Sequence, residues 1–138
     1  MTKLLVRDLM TEKVVAVRPE DALARVQEVM DSLLVRHLPV VDEGNNLVGL
    51  VSQRDLLRNA VLDQVDMPLN MQQEMMARTS VSDVMITEPE NVSPDRALQD
   101  AAEVMLENKY GCVPVCEGTE LVGILTESDF VRYFAELA

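Results

Sequence analysis

The chain has no tryptophan, two tyrosines, two phenylalanines and a single histidine among its 138 residues. So few aromatics leave no platform on which unpaired bases would stack. Lys and Arg number 12 against 24 Asp and Glu, a formal net charge of -12. That surface repels phosphate backbones, and no basic stripe offsets it, so nucleic acid is not expected as a partner. One histidine, His37, and two cysteines cannot assemble a zinc site. They also leave no oriented base for a hydrolytic triad, and neither a nucleophile elbow nor a Gly-Lys-Ser phosphate loop appears. Cys112 and Cys116 flank Val113-Pro114-Val115. On an extended strand they would stand roughly 13 Å apart, beyond the limit of about 7 Å for a bridge, which makes them buried small hydrophobes. No apolar run reaches the roughly 18 to 20 residues of a membrane span, and the first residues are too briefly apolar for a signal peptide. The expectation is a soluble cytoplasmic protein without membrane contact, metal, required cofactor or catalytic residue.

What is present is repetition within a chain that is 48% hydrophobic. Val6-Arg7-Asp8-Leu9-Met10 returns as Val81-Ser82-Asp83-Val84-Met85, and Pro19, Ala22 and Leu23 return as Pro94, Ala97 and Leu98. Pro39-Val40 becomes Pro114-Val115; after a one-residue deletion, Leu47-Val48-Gly49 becomes Leu121-Val122-Gly123 and Asp55 becomes Asp129. Such a repeat is one supersecondary unit that does not bury its apolar face alone. The expected division is repeat 1 over 1-62, a linker over 63-80 and repeat 2 over 81-138.

Each copy predicts the same series of elements. Val14-Val15-Ala16-Val17, and more weakly Asn91-Val92, read as a first strand. Helices starting at Pro19-Glu20-Asp21 and Pro94-Asp95 follow, with Ala22, Leu23, Val26 and Met30 spaced as a buried stripe. Leu38-Pro39-Val40-Val41 and Leu47 to Val51 form a hairpin across the turn Asp42-Glu43-Gly44-Asn45-Asn46, with Pro39 near a sheet edge. That turn lacks the length and the closing glutamate of a calcium loop. A closing helix runs from Asp55 to Leu62, capped by Ser52 or Asp55. In the linker, Gln72 to Ala77 reads as a short helix, and Met67, Met71, Met75 and Met76 as gap fillers.

The duplicated series resembles the cystathionine-β-synthase (CBS) domain. The likeness rests on Asp-(Leu/Val)-Met at the front and His37-Leu38-Pro39-Val40-Val41-Asp42 in the middle. It rests equally on the twin endings Gly49-Leu50-Val51-Ser52-Gln53-Arg54-Asp55 and Gly123-Ile124-Leu125-Thr126-Glu127-Ser128-Asp129. It covers about Val6 to Phe134. The fold implied is α/β (α+β), two pseudo-twofold-related β-α-β-β-α repeats forming one CBS pair. The resemblance implies clefts that bind adenosine compounds: AMP, ADP, ATP or a related adenosyl compound. Asp55 or Asp129 would accept hydrogen bonds from the ribose hydroxyls. Ser52 and Thr126 would reach a phosphate oxygen beside the helix N–H groups. The first cleft would join Arg36, His37, Ser52 and Asp55 to a pocket at Met85, Glu90 and Tyr110. The second would join Thr126 and Asp129 to Met10, Val15 and Val35.

Because Gly111-Cys112 replace Arg36-His37, the first cleft is expected to hold phosphates more tightly, with Lys109 partly compensating in the second. Arg54 reads as a surface charge pairing with carboxylates. The family implies a homodimer, with apolar faces beside Leu56, Leu57, Val61, Phe130 and Phe134 as candidate interfaces, and a sensor implies an unidentified protein partner. The alternative is a non-catalytic dimerisation or docking subunit that binds no nucleotide and makes contact through Met67 to Met76. A role in acetoin metabolism finds no residue here to support it.

Overall fold

Two helices of the same length carry the duplicated apolar stripe. Helix α2 (Leu23–Leu33) buries Leu23, Val26 and Met30, and α5 (Leu98–Asn108) buries Leu98, Ala101 and Met105. Three, four and seven residues apart, these positions share one helix face. Both helices begin later than Pro19-Glu20-Asp21 and Pro94-Asp95 predict. In the first copy, those residues form a turn in which the Asp21 carboxylate accepts the Arg18 N–H at 2.8 Å, and the helix starts only after Ala22. Both stop at a left-handed residue, Leu34 (φ 57°) and Lys109 (φ 60°). Glycine usually takes this position because a Cβ is strained there. Leu34 is 91% exposed, so its side chain adds no packing to offset the strain. Leu34→Gly should therefore raise unfolding free energy by about 0.5–1 kcal/mol, read from the midpoint of urea melts.

This is a computed structural model, which describes residues 3–63 and 68–137, without the side chains of 59–63. The hairpins come next in each copy. Strands β1 (His37–Val41) and β2 (Leu47–Ser52) pair antiparallel from His37 opposite Ser52 to Val41 opposite Leu47. Their turn is closed by Asp42, whose carboxylate accepts the N–H groups of Gly44 and Asn46. Those bonds, the Asn46 N–H first, hold the Asp42 carboxyl below its usual range. Helix α3 (Gln53–Asp63) leaves β2 directly. Helix α4 (Leu69–Arg78) is longer than Gln72 to Ala77, and its Met76 packs against the core; Met67 lies outside the described residues. Strand β3 (Ile86–Thr87), which the sequence reading missed, pairs with β2 so that Leu50 faces Ile86. Strands β4 (Cys112–Glu117) and β5 (Glu120–Thr126) form the second hairpin, followed by α6 (Glu127–Ala135).

The expected first strands are corrected. Val14 to Val17 and Asn91-Val92 each reduce to a single parallel bridge, Val17 to Val40 and Val92 to Val115. One inward residue suffices, because Val15 is exposed and offers no second buried contact. These bridges also lie on the open side of Pro39 and Pro114: each proline carbonyl accepts the incoming N–H, of Val17 at 3.0 Å and of Val92 at 3.1 Å. A proline lacks only its own N–H, so its carbonyl stays available.

The chain divides into two compact units, one made of 1–14 with 90–138, the other of 15–89. These are not the repeats as they run in sequence. The front motif of each copy packs into the other copy's unit. Helix α1 (Val6–Leu9) is held by Val6 N–H to the Arg96 carbonyl and Leu98 N–H to the Leu4 carbonyl, both 2.9 Å. In the other unit, Val81 N–H donates to the Asp21 carbonyl at 2.8 Å and Leu23 N–H to the Thr79 carbonyl at 3.0 Å. Val6 and Val81, wholly buried, are the apolar anchors of the exchange, each within the core that holds α5 or α2. Burying a valine contributes about 1.5 kcal/mol or more.

Candidate functional site

In each unit a strand runs into a helix through a corner of one design. At the first corner, the Asp55 N–H donates to Ser52 Oγ (3.1 Å) and the Ser52 N–H to Asp55 Oδ2 (2.9 Å). Each side chain caps the other's backbone, satisfying donors that an N-terminus leaves open. At the second, the Thr126 N–H donates to Asp129 Oδ2 at 2.8 Å, and the Thr126 hydroxyl to the same oxygen at 3.2 Å. The residue just before the partner strand closes each corner: the Gln53 N–H donates to the Arg36 carbonyl (2.8 Å) and the Glu127 N–H to the Gly111 carbonyl (3.0 Å). The predicted pairs Ser52–Asp55 and Thr126–Asp129 are thus brought together, with Arg36 and His37 beside the first.

A methionine stands against each strand. A Cβ on Gly49 would fall 2.5 Å from Met85 Sδ, and one on Gly123 would fall 2.9 Å from Met10 Sδ. Met85 therefore accompanies Ser52 and Asp55, while Met10 accompanies Thr126 and Asp129. Of the remaining predicted residues, Glu90 and Tyr110 belong to the unit of Asp129, Val15 and Val35 to the unit of Asp55.

The corners differ in how their carboxylates are used. Asp129 is 2% exposed, and Oδ1 also accepts the Thr11 hydroxyl at 2.9 Å and the Arg132 guanidinium at 3.0 Å. With two bonds on each oxygen, its acceptor capacity of about four sites is filled. Asp55 is only half-buried, and among the described residues its Oδ1 accepts no hydrogen bond. The sequence reading passed over Thr11. Its counterpart 75 residues on is Ile86, and that break in the repeat is the signal that would have found it.

Cys112 and Cys116 are buried and unbridged. Burial, with the Glu127 charge as a lesser cause, pushes the Cys112 thiol up to about 12, and burial alone takes Cys116 to about 11. Neither is a thiolate near neutrality, so neither is a nucleophile. Among the described residues no group of three His, Cys, Asp or Glu gathers as a metal site, and no helix is long and apolar enough to cross a membrane.

The model of the CBS domain matches twice, over residues 6–61 and 81–136. The chain belongs to the CBS-domain family. It is a tandem CBS pair, and it shares its α/β fold with solved pairs. AcuB of Vibrio cholerae is 34% identical with a TM-score of 0.82, covering 99% of this chain and 93% of that one. CBSX2 of Arabidopsis thaliana is 32% identical with a TM-score of 0.85, over 99% and 97%. CBSX2 in complex with AMP is matched at 33% identity and TM-score 0.78, over 96% and 97%. Among curated relatives, the chloroplastic CBSX1 of Arabidopsis thaliana is 33% identical over 147 residues, and the pair spans 92% of this chain but 62% of that protein. An uncharacterised protein of Methanocaldococcus jannaschii is 29% identical over 92% of this chain and 41% of its own length.

Proposed function

We propose that this CBS pair is a non-catalytic regulatory module that binds an adenosine nucleotide (AMP, ADP or ATP) and passes its occupancy to a partner protein. The observation that carries the reading is the Ser52–Asp55 corner, where a capped helix start stands beside a carboxylate oxygen that the described residues leave open. An oxygen of that kind suits a ribose diol, since hydroxyl donors to a carboxylate make charge-assisted bonds. The Ser52 hydroxyl proton and the positive end of the α3 dipole suit a phosphate at the same place. Arg36 adds positive charge there. CBSX2, similar over nearly all of this chain, forms a complex with AMP. The Asp129 corner repeats the motif and is the second candidate. Glu90, Tyr110, Val15 and Val35 retain their proposed place as adenine-pocket residues.

A bound nucleotide regulates only through unequal affinity for two arrangements of the protein. Leu57 on α3 and Val131 and Phe134 on α6 are exposed and form the proposed homodimer contacts. The Val61 side chain lies outside the described residues. Leu56 is buried, and Phe130 packs against the core, so these two support such a face from beneath. Calorimetric titration with AMP, ADP, ATP and S-adenosylmethionine tests the reading. Heat with at least one of them is expected, and Asp55→Ala should weaken that binding about 10- to 100-fold, the loss of one or two charge-assisted bonds. Flat traces across the panel would instead favour a docking subunit built on the exposed Leu69 and Met71 of α4.

A further inference from the structure

Three consecutive apolar residues, Leu33, Leu34 and Val35, are exposed where α2 ends. Helix α4 packs against α2. The Leu23 N–H donates to the Thr79 carbonyl and Ala22 bridges Ser80 in the antiparallel sense, so the start of α2 lies beside the end of α4. The two helices hold 11 and 10 residues, about 15 Å each. That length returns Leu69 and Met71, at the start of α4, to the level of Leu33. Both are exposed, Leu69 by 69%. One apolar patch therefore forms at this open end of the helix pair.

The duplicated fold does not require it. Repeat 2 has Asn108, Lys109 and Tyr110 at the positions of Leu33, Leu34 and Val35, and α4 stands outside the duplicated series. Lys109 makes the same left-handed cap (φ 60°) with a charged side chain, where Leu34 (φ 57°) holds a leucine out in water. A residue that bears both backbone strain and apolar exposure, with no offsetting contact in its own chain, marks a functional position.

Charge selects the occupant. Two chains of net charge -12 repel one another over most of their surface. Helices α2 and α4 carry Arg25 and Arg78 against Glu28, Asp31 and Glu74, a net charge of -1, and Arg78 is paired with Glu74. A basic partner would be drawn to the more acidic surface, whereas a second copy meets little repulsion here. An antiparallel helix pair that meets its own copy about a twofold axis makes a four-helix arrangement, which buries each Leu34 against the other chain.

We infer that the open end of the α2 and α4 pair is a docking surface for a second copy of this chain, with Leu34 and Leu69 at its centre. It uses none of the α3 and α6 residues proposed above as homodimer contacts, and it needs no nucleotide. A chain that uses both faces builds an assembly of four; a chain that uses this face alone builds a dimer.

Light scattering on the full chain reads the mass over a dilution series from about 100 μM to about 1 μM. Leu34→Lys, which copies the twin, and Leu69→Lys should each halve the mass of the concentrated sample. Either change should weaken association about 30-fold or more, as loss of a central anchor does. Leu106→Lys, at an exposed leucine of α5, should leave the mass unchanged. Leu34→Gly separates association from folding. It should also halve the mass, yet gain the stability expected above in melts dilute enough for monomers, where association adds nothing. A wild type that stays monomeric throughout, an unchanged mass in Leu34→Lys or Leu69→Lys, or an equal fall in Leu106→Lys would overturn the inference. No nucleotide enters the measurement, so the nucleotide-binding reading stands or falls on its calorimetry alone.

Discussion

Asp129→Ala is expected to lower unfolding free energy by about 3 kcal/mol, against about 1 kcal/mol for Asp55→Ala at the matching position. For a chain of this size the first loss should appear as a fall in Tm of roughly 10 °C. Both substitutions remove a helix cap, and that accounts for the shared part. The excess at 129 comes from what else the carboxylate holds. Its Oδ1 binds the Thr11 hydroxyl, 118 residues distant in sequence, and the Arg132 guanidinium. Alanine strands the Thr126 N–H at a half-buried corner and unties Thr11 from α6. Breaking a fully buried ion pair costs about 3–5 kcal/mol. Arg132 is 59% exposed, so water rescues it and the lower end applies. Asp129→Asn keeps the shape and one acceptor oxygen and should cost about half as much. Equal losses for the two alanine variants in urea melts would show that Thr11 and Arg132 add nothing.

That inequality also marks where the sequence stopped being legible. Local patterns read well: the stripe Leu23, Val26, Met30, the hairpin around Asp42 to Asn46, and the caps at Ser52 and Thr126 all involve residues within a few positions of each other. The duplicated order of elements sufficed to identify the family. Three features went unread, and each depends on contacts that close only in space. Val14 to Val17 has strand propensity, yet pairing needs a partner, and only Val17 has one. Ile86-Thr87 is too short to signal a strand until β2 lies beside it. The front motifs Val6 and Val81 gave no hint that each packs into the other copy's unit, because in a repeat protein either copy offers the same apolar face. Charge was similar. Arg54 looked like a surface arginine paired with a carboxylate, and only the structure shows that it makes no salt bridge among the described residues.

Gly49→Val should be the other strongly disruptive change, lowering stability by about 3 kcal/mol or more. Gly49 is buried in β2, opposite Val40 on one side and Thr87 on the other. A Cβ there meets Met85 Sδ at 2.5 Å and Cγ at 3.0 Å, with the Ile86 carbonyl oxygen also at 3.0 Å. The thioether can swing aside, because methionine has three rotatable bonds. The carbonyl belongs to β3 and cannot move without losing its pairing to β2. A double-mutant cycle separates these two obstacles. If the sulfur were the whole obstruction, Met85→Ala would cancel the cost of Gly49→Ala. With the carbonyl in place, the cycle should show a coupling of about 0.5–1 kcal/mol and leave a residual penalty of about 1 kcal/mol. Gly118 sits in a turn with nothing within 4 Å of its Cβ position, so Gly118→Ala should cost only the strain of its positive φ, about 1 kcal/mol. Because Gly49 lies three residues before Ser52, Gly49→Ala also displaces Met85 at the strand that leads into the Asp55 corner. On the proposed nucleotide-binding reading, the folded fraction of that variant is expected to bind AMP more weakly, while Gly123→Ala presses on Met10 Sδ at 2.9 Å and should lose stability in the same way.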